Sequence, residues 1–111
     1  MKKLLLLTLA ILPCVVSAQD KNDGATWNLI CNQGTRVDQA ICDTLVYGYL
    51  EGVRVQSGFA NFRPPYCMPK STTIGDASGV FAKYLAEHPE QHSLPLATML
   101  TLAMTQAFLC K

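Results

Sequence analysis

The sequence predicts an all-α protein, a compact four-helix bundle-like domain stapled by two disulfides. Three observations carry that expectation. Four stretches place apolar residues at helical spacing, no stretch shows a competing strand pattern, and an even set of cysteines remains once an N-terminal export segment is set aside.

That export segment comes first. Lys2 and Lys3 precede an apolar run over residues 4–16 and the small pair Ser17 and Ala18, which is the layout of a cleavable secretory signal over residues 1–18. The run is shorter than the ~20 apolar residues of a permanent span. Cys14 raises the competing idea of a lipoprotein signal, but Pro13 stands where such a site wants Gly or Ala. Cleavage after Ala18 leaves one domain, residues 19–111, for an oxidising compartment.

Loss of Lys2 and Lys3 turns nine basic and eight acidic residues into seven and eight, a net charge of −1. A nucleic-acid binder needs a clustered basic excess, and this chain has none. Cleavage also removes Cys14, leaving Cys31, Cys42, Cys67 and Cys110. Four cysteines in a short exported domain read as two disulfides. Their wide spacing, with no C-x-x-C pair, disfavours a zinc site.

The first helix is expected at about 25–32, capped by Asn22 or Asp23, anchored by Trp27 and Ile30, and stopped by Gly34 in a left-handed conformation. The second is expected at about 37–58, with Ile41, Leu45, Tyr49 and Val53 as its apolar row and Asp38 near the positive end of its dipole. On an adjoining face stand Ala40, Thr44, Gly48 and Gly52 at successive i+4 steps. Interior glycines each cost about 1 kcal/mol relative to alanine, so they need a reason. Close packing by another helix of the domain is one, and a homodimer seam is the other.

The third helix is expected after the hydroxyl caps at 71–73, burying Ile74, Ala77, Phe81 and Tyr84 with Val80 and Leu85 beside them, and ending at His88-Pro89. The fourth is expected at about 94–108, capped by Ser93 or His92, with Pro95 in its first turn and Leu96, Leu100, Ala103 and Ala107 as its inward row. Short links between four helices make a bundle. If the second, third and fourth helices alternate in direction, Cys67 meets Cys110 at one end and Cys31 meets Cys42 at the other. Of the three possible pairings this is the preferred one, although spacing alone does not fix connectivity.

Catalytic chemistry finds little support. His88, Glu90 and His92 are the only cluster with metal-ligand character, and Pro89 interrupts the helix that would align them, so a solvated turn is expected. No serine lies in a nucleophile elbow, and no phosphate or dinucleotide loop is present. The expectation is a non-enzyme without cofactor or metal. Recognition is left, and its best candidate is the stiff loop 59–70, where Phe62, Arg63, Pro64, Pro65 and Tyr66 combine hot-spot residue types with a low ordering cost. The competing reading has Phe62 and Tyr66 tucked into the bundle as a lid.

A cysteine early in the second helix, then YGYLEGV (47–53), CMPKSTT (67–73), KYLAEHPE (83–90) and AFLC (107–110) together resemble the small periplasmic immunity proteins of type VI secretion amidase effectors, the resistance-associated-protein or Tai-like family. The resemblance implies an all-helical, often homodimeric periplasmic protein that binds a peptidoglycan amidase and occludes its active-site cleft. The positions that match, among them Cys42, Gly48, Gly52, Cys67, His88, Pro89 and Cys110, are framework. Leu109 stands where that family often has Pro, and Asp76 where Gln is common. A second reading stays open: a small periplasmic stress chaperone similar to the acid-activated Hde type, or an orphan helical scaffold.

Overall fold

Among the described residues, three of the four helices start on caps written into the chain. In a computed structural model that describes residues 23–111, α1 (Gly24–Asn32) begins at Asp23, whose Oδ1 accepts the Ala25 N–H at 2.9 Å. Two longer helices, α2 (Arg36–Ala60) and α3 (Ile74–Glu87), begin on reciprocal capping boxes. Thr35 N–H donates to Asp38 Oδ2 at 2.8 Å while Thr35 Oγ1 accepts the Asp38 N–H. Thr73 and Asp76 repeat the arrangement at 3.1 and 3.0 Å. Each box satisfies two N–H groups that the first helical turn would otherwise leave unpaired.

Helix α4 (Leu96–Ala107) starts differently. A 3-10 turn over Pro89–Gln91 follows α3, and α4 begins after Pro95 with no side-chain cap, so neither Ser93 nor His92 serves as expected. The reason lies in Leu94, which precedes a proline and is steered away from the helical region, delaying the helix until Pro95 has passed. Residues 1–22, including the expected signal segment, lie outside the described residues.

Helix α3 is the centre of the bundle, with α1 and α2 packed on it and α4 on it as well. Its Ala77, Phe81 and Leu85 are fully buried, joined by Met99, Leu100, Ala103 and Met104 of α4 and by Cys42 and Val46 of α2. A shorter seam joins α2 to α4, where the Tyr49 and Thr101 hydroxyls hydrogen-bond at 2.7 Å. No strand occurs among the described residues. The disulfides are Cys31–Cys42 and Cys67–Cys110, the preferred pairing, with Cα separations of 5.4 and 4.9 Å. From loop closure alone they contribute about 3 and about 4 kcal/mol.

Several expected positions move. Ile41 is 44% exposed, whereas Val53 at the other end of its row packs on the core. An i+4 row advances about 40° per step around a helix of 3.6 residues per turn, so the row through Ile41, Leu45, Tyr49 and Val53 winds from the outer face to the inner one. Ala107, the last residue of α4, is exposed, while the buried arc of that helix widens to take in Met99 and Met104. Gly34 has no positive φ; a Cβ there would run into the Asp38 side chain and come within 2.8 Å of the Ile30 carbonyl oxygen, so space requires the glycine. The left-handed residue is instead Asn61, φ 49°, which ends α2 two residues beyond the expected limit.

Candidate functional site

The expected recognition loop leaves α2 at Asn61 and reaches α3 at Thr73, and three ties hold it. The Tyr66 side chain is buried, the Cys67 N–H donates to the Phe108 carbonyl at 2.8 Å, and the Cys67–Cys110 bond joins the loop to the segment after α4. A further turn forms where the Thr72 N–H donates to the Pro69 carbonyl at 3.0 Å. The loop is therefore ordered by its own anchors.

These anchors divide the five candidate residues. Arg63 and Pro65 are exposed, Phe62 is 38% exposed, Pro64 is half-buried, and Tyr66 retains 7% exposure. Tyr66 belongs to the core cluster, whereas Phe62 and Arg63 of the same loop do not. Among the described residues the Tyr66 hydroxyl has no hydrogen-bond partner, and burial, with the nearby Tyr49 phenol, pushes its pKa up. Between the loop and the second half of α2 lies an open groove of about 510 Å³ whose floor includes Leu50, Val53, Tyr66 and Met68. On its rim Arg54 pairs with Glu51 at 2.8 Å, and that carboxylate raises the Arg54 pKa.

A second surface was not foreseen as a whole. The outer face of α2 carries Val37, Ile41, Tyr47, Val55 and Phe59, all more than two-fifths exposed and Phe59 the most at 89%. Ala40, Thr44, Gly48 and Gly52 lie exposed on the same face. A Cβ added at Gly48 or Gly52 would meet nothing within 4 Å, so among the described residues no helix closes on these two glycines, where close packing within the domain was one expectation. Near the start of α2 the face opens into an apolar depression of about 440 Å³ between Trp27, Val37, Ile41 and Leu45. Averaging hydropathy around the whole helix, instead of following single i+4 rows, would have revealed an apolar outer face.

Residues 88–92 lie in the turn between α3 and α4, and their side chains make contacts within it and with α3. His88 Nδ1 lies 3.1 Å from Glu90 Oε1, and His92 Nε2 lies 2.7 Å from the Leu85 carbonyl oxygen. Its own backbone N–H and the His88 side chain hold the Glu90 carboxyl below its ordinary pKa. The Tyr84 hydroxyl donates to Gln91 Oε1, which closes the turn onto α3. Among the described residues no group of three or more His, Cys, Asp or Glu side chains is placed to hold a metal ion. No helix among them is long and apolar enough to cross a membrane.

The arrangement offers two protein-sized surfaces, the loop with its groove and the outer face of α2. In comparison with known proteins, the family model for Rap1a immunity proteins matches residues 23–110, which takes in the four helices of the described residues and both disulfides. No curated protein and no solved structure matches the chain. The chain belongs to the family of Rap1a immunity proteins.

Proposed function

We propose that this protein is exported, cleaved near Ala18, and acts in the periplasm as the immunity partner of a peptidoglycan amidase delivered by type VI secretion. It acts by binding and occluding the toxin's active site and performs no catalysis of its own. Family membership supports an immunity role, and the resemblance of the Cys31 to Cys110 framework to immunity proteins of amidase effectors supports the narrower target. The observation that carries the reading is the pinned loop. Phe62 and Arg63 project from a segment already ordered by Tyr66 and the Cys67–Cys110 bond, so little conformational freedom is lost when a partner is bound.

A pull-down of the mature, oxidised protein from periplasmic and supernatant extracts at neutral pH tests this reading. One stoichiometric amidase is expected, with Phe62→Ala and Arg63→Ala each weakening it by about 2 kcal/mol if they are hot spots. A smear of clients that grows on acidification would transfer the assignment to a stress chaperone.

We further infer a homodimer formed across the outer face of α2. The exposed apolar side chains there flank glycines that permit close backbone approach, and a two-fold axis would let one face cover its copy. Light scattering of the mature protein and of Gly48→Leu decides it. A dimer that becomes monomeric in the variant supports the seam, and a wild-type monomer at tens of micromolar removes it.

A further inference from the structure

The two disulfides differ in a way that bears on the binding loop. Cys31 and Cys42 are 6% and 0% exposed and belong to the core, whereas Cys67 and Cys110 are both exposed residues. Beside the second bond an open depression of about 550 Å³ runs between Pro69, Phe108, Leu109 and Lys111, with Leu109 71% exposed. Both residues of one disulfide are thus exposed, with Cys67 lining that depression, and both residues of the other are buried. The exposed one is also a tie of the loop that carries Phe62 and Arg63, together with the Tyr66 ring and the Cys67 N–H bond to Phe108.

We propose that Cys67–Cys110 is a redox-accessible clasp: a dithiol reductant opens it selectively, loosens the 61–73 loop and lowers affinity for the partner, while Cys31–Cys42 keeps the bundle intact. The exchange balances within the pair of molecules. A thiolate of the reductant attacks one protein sulfur, the protein S–S bond breaks, and the other cysteine leaves as a thiolate that takes up a proton. The reductant's second thiol, deprotonated, then displaces the first protein sulfur from the mixed disulfide. Two electrons have passed to the protein, which ends with two thiols, and the reductant ends as a disulfide. Exposure governs which bond is attacked, because the attacking sulfur must reach its target in line.

The effect on partner binding rests on the immunity reading, but the opening itself does not. The full mature protein is titrated with dithiothreitol and quenched with iodoacetamide, and the labelled cysteines are identified by mass spectrometry. Helix content is followed by circular dichroism, and chymotrypsin reports whether the bond after the buried Tyr66 becomes cleavable. Labelling of Cys67 and Cys110 is expected at least about tenfold faster than that of Cys31 and Cys42. A new cut after Tyr66 should appear at that stage while helix content is retained, and Cys67→Ser with Cys110→Ser should give the same digest without reductant. Simultaneous or reversed labelling overturns the proposal, as does a Tyr66 bond that stays protected after the clasp opens. If labelling and digestion come out as expected, the clasp stands. An amidase that binds neither form then counts against the immunity reading alone.

Discussion

Gly24 and His92 are in direct contact: the Gly24 N–H donates to the His92 carbonyl at 2.8 Å, and a Cβ on Gly24 would lie 2.6 Å from the His92 Cα. The start of α1 is thus laid against the turn between α3 and α4, and His92 continues the link through Nε2 to the Leu85 carbonyl. Gly24→Ala has backbone and not only a side-chain tip to displace. It is expected to lower stability by about 1–3 kcal/mol in urea unfolding, the range for forcing extra atoms into a packed site. An unchanged midpoint would mean that α1 docks more loosely than this geometry shows.

Gly48 and Gly52 are the opposite case, since added Cβ atoms there meet nothing. Gly48→Ala and Gly52→Ala should each stabilise the monomer by about 0.5–1 kcal/mol through helix propensity alone. Their effect on self-association should have the other sign if α2 pairs with its copy. Unfolding followed at two protein concentrations separates these contributions, because only the dimeric part depends on concentration.

Thr73 and Asp76 cap α3, and the backbone N–H of Thr73, followed by its hydroxyl, holds the Asp76 carboxyl below its ordinary pKa. A carboxylate depressed in the folded state adds stability that is fully present above its unfolded pKa. That stability is lost as pH falls through the folded value. Unfolding midpoints measured downward from pH 6 should therefore drop more steeply for the wild type than for Asp76→Asn, the two curves converging in strong acid. Thr73→Ala should cost about 1 kcal/mol at neutral pH, as loss of an N-cap does.

The helices and their disulfides were legible because each is governed by local or nearly local signals: caps at Asp23 and Thr73, the stop at His88-Pro89, and alternating helix directions that bring Cys67 to Cys110. The faces of α2 were less legible. Over 25 residues an i+4 row turns through the whole width of the helix, so Ile41 and Val53 share a row without sharing an environment. The division of labour in the loop was hidden for another reason. Phe62 and Tyr66 are the same kind of residue to any composition argument, and only the packing against the bundle makes one part of the core and leaves the other facing solvent.

That division leads to the prediction with the sharpest contrast. The Tyr66 ring is buried but among the described residues its hydroxyl lacks a partner, as does that of Ser78 on α3. An unsatisfied buried hydroxyl is a desolvation cost of about 1–3 kcal/mol, and removing it while keeping the ring should relieve part of that cost. Tyr66→Phe is expected to be neutral or up to about 1 kcal/mol more stable, with Ser78→Ala behaving alike. Tyr66→Ala deletes the ring that anchors the loop and should cost about 3–5 kcal/mol. If the loop is the contact surface, partner affinity measured by calorimetry should survive Tyr66→Phe unchanged, because the ring still anchors the loop in the core, and should fall with Tyr66→Ala even where the bundle remains helical. Loss of affinity in Tyr66→Phe would place the phenol itself in the interface and overturn its role as an anchor.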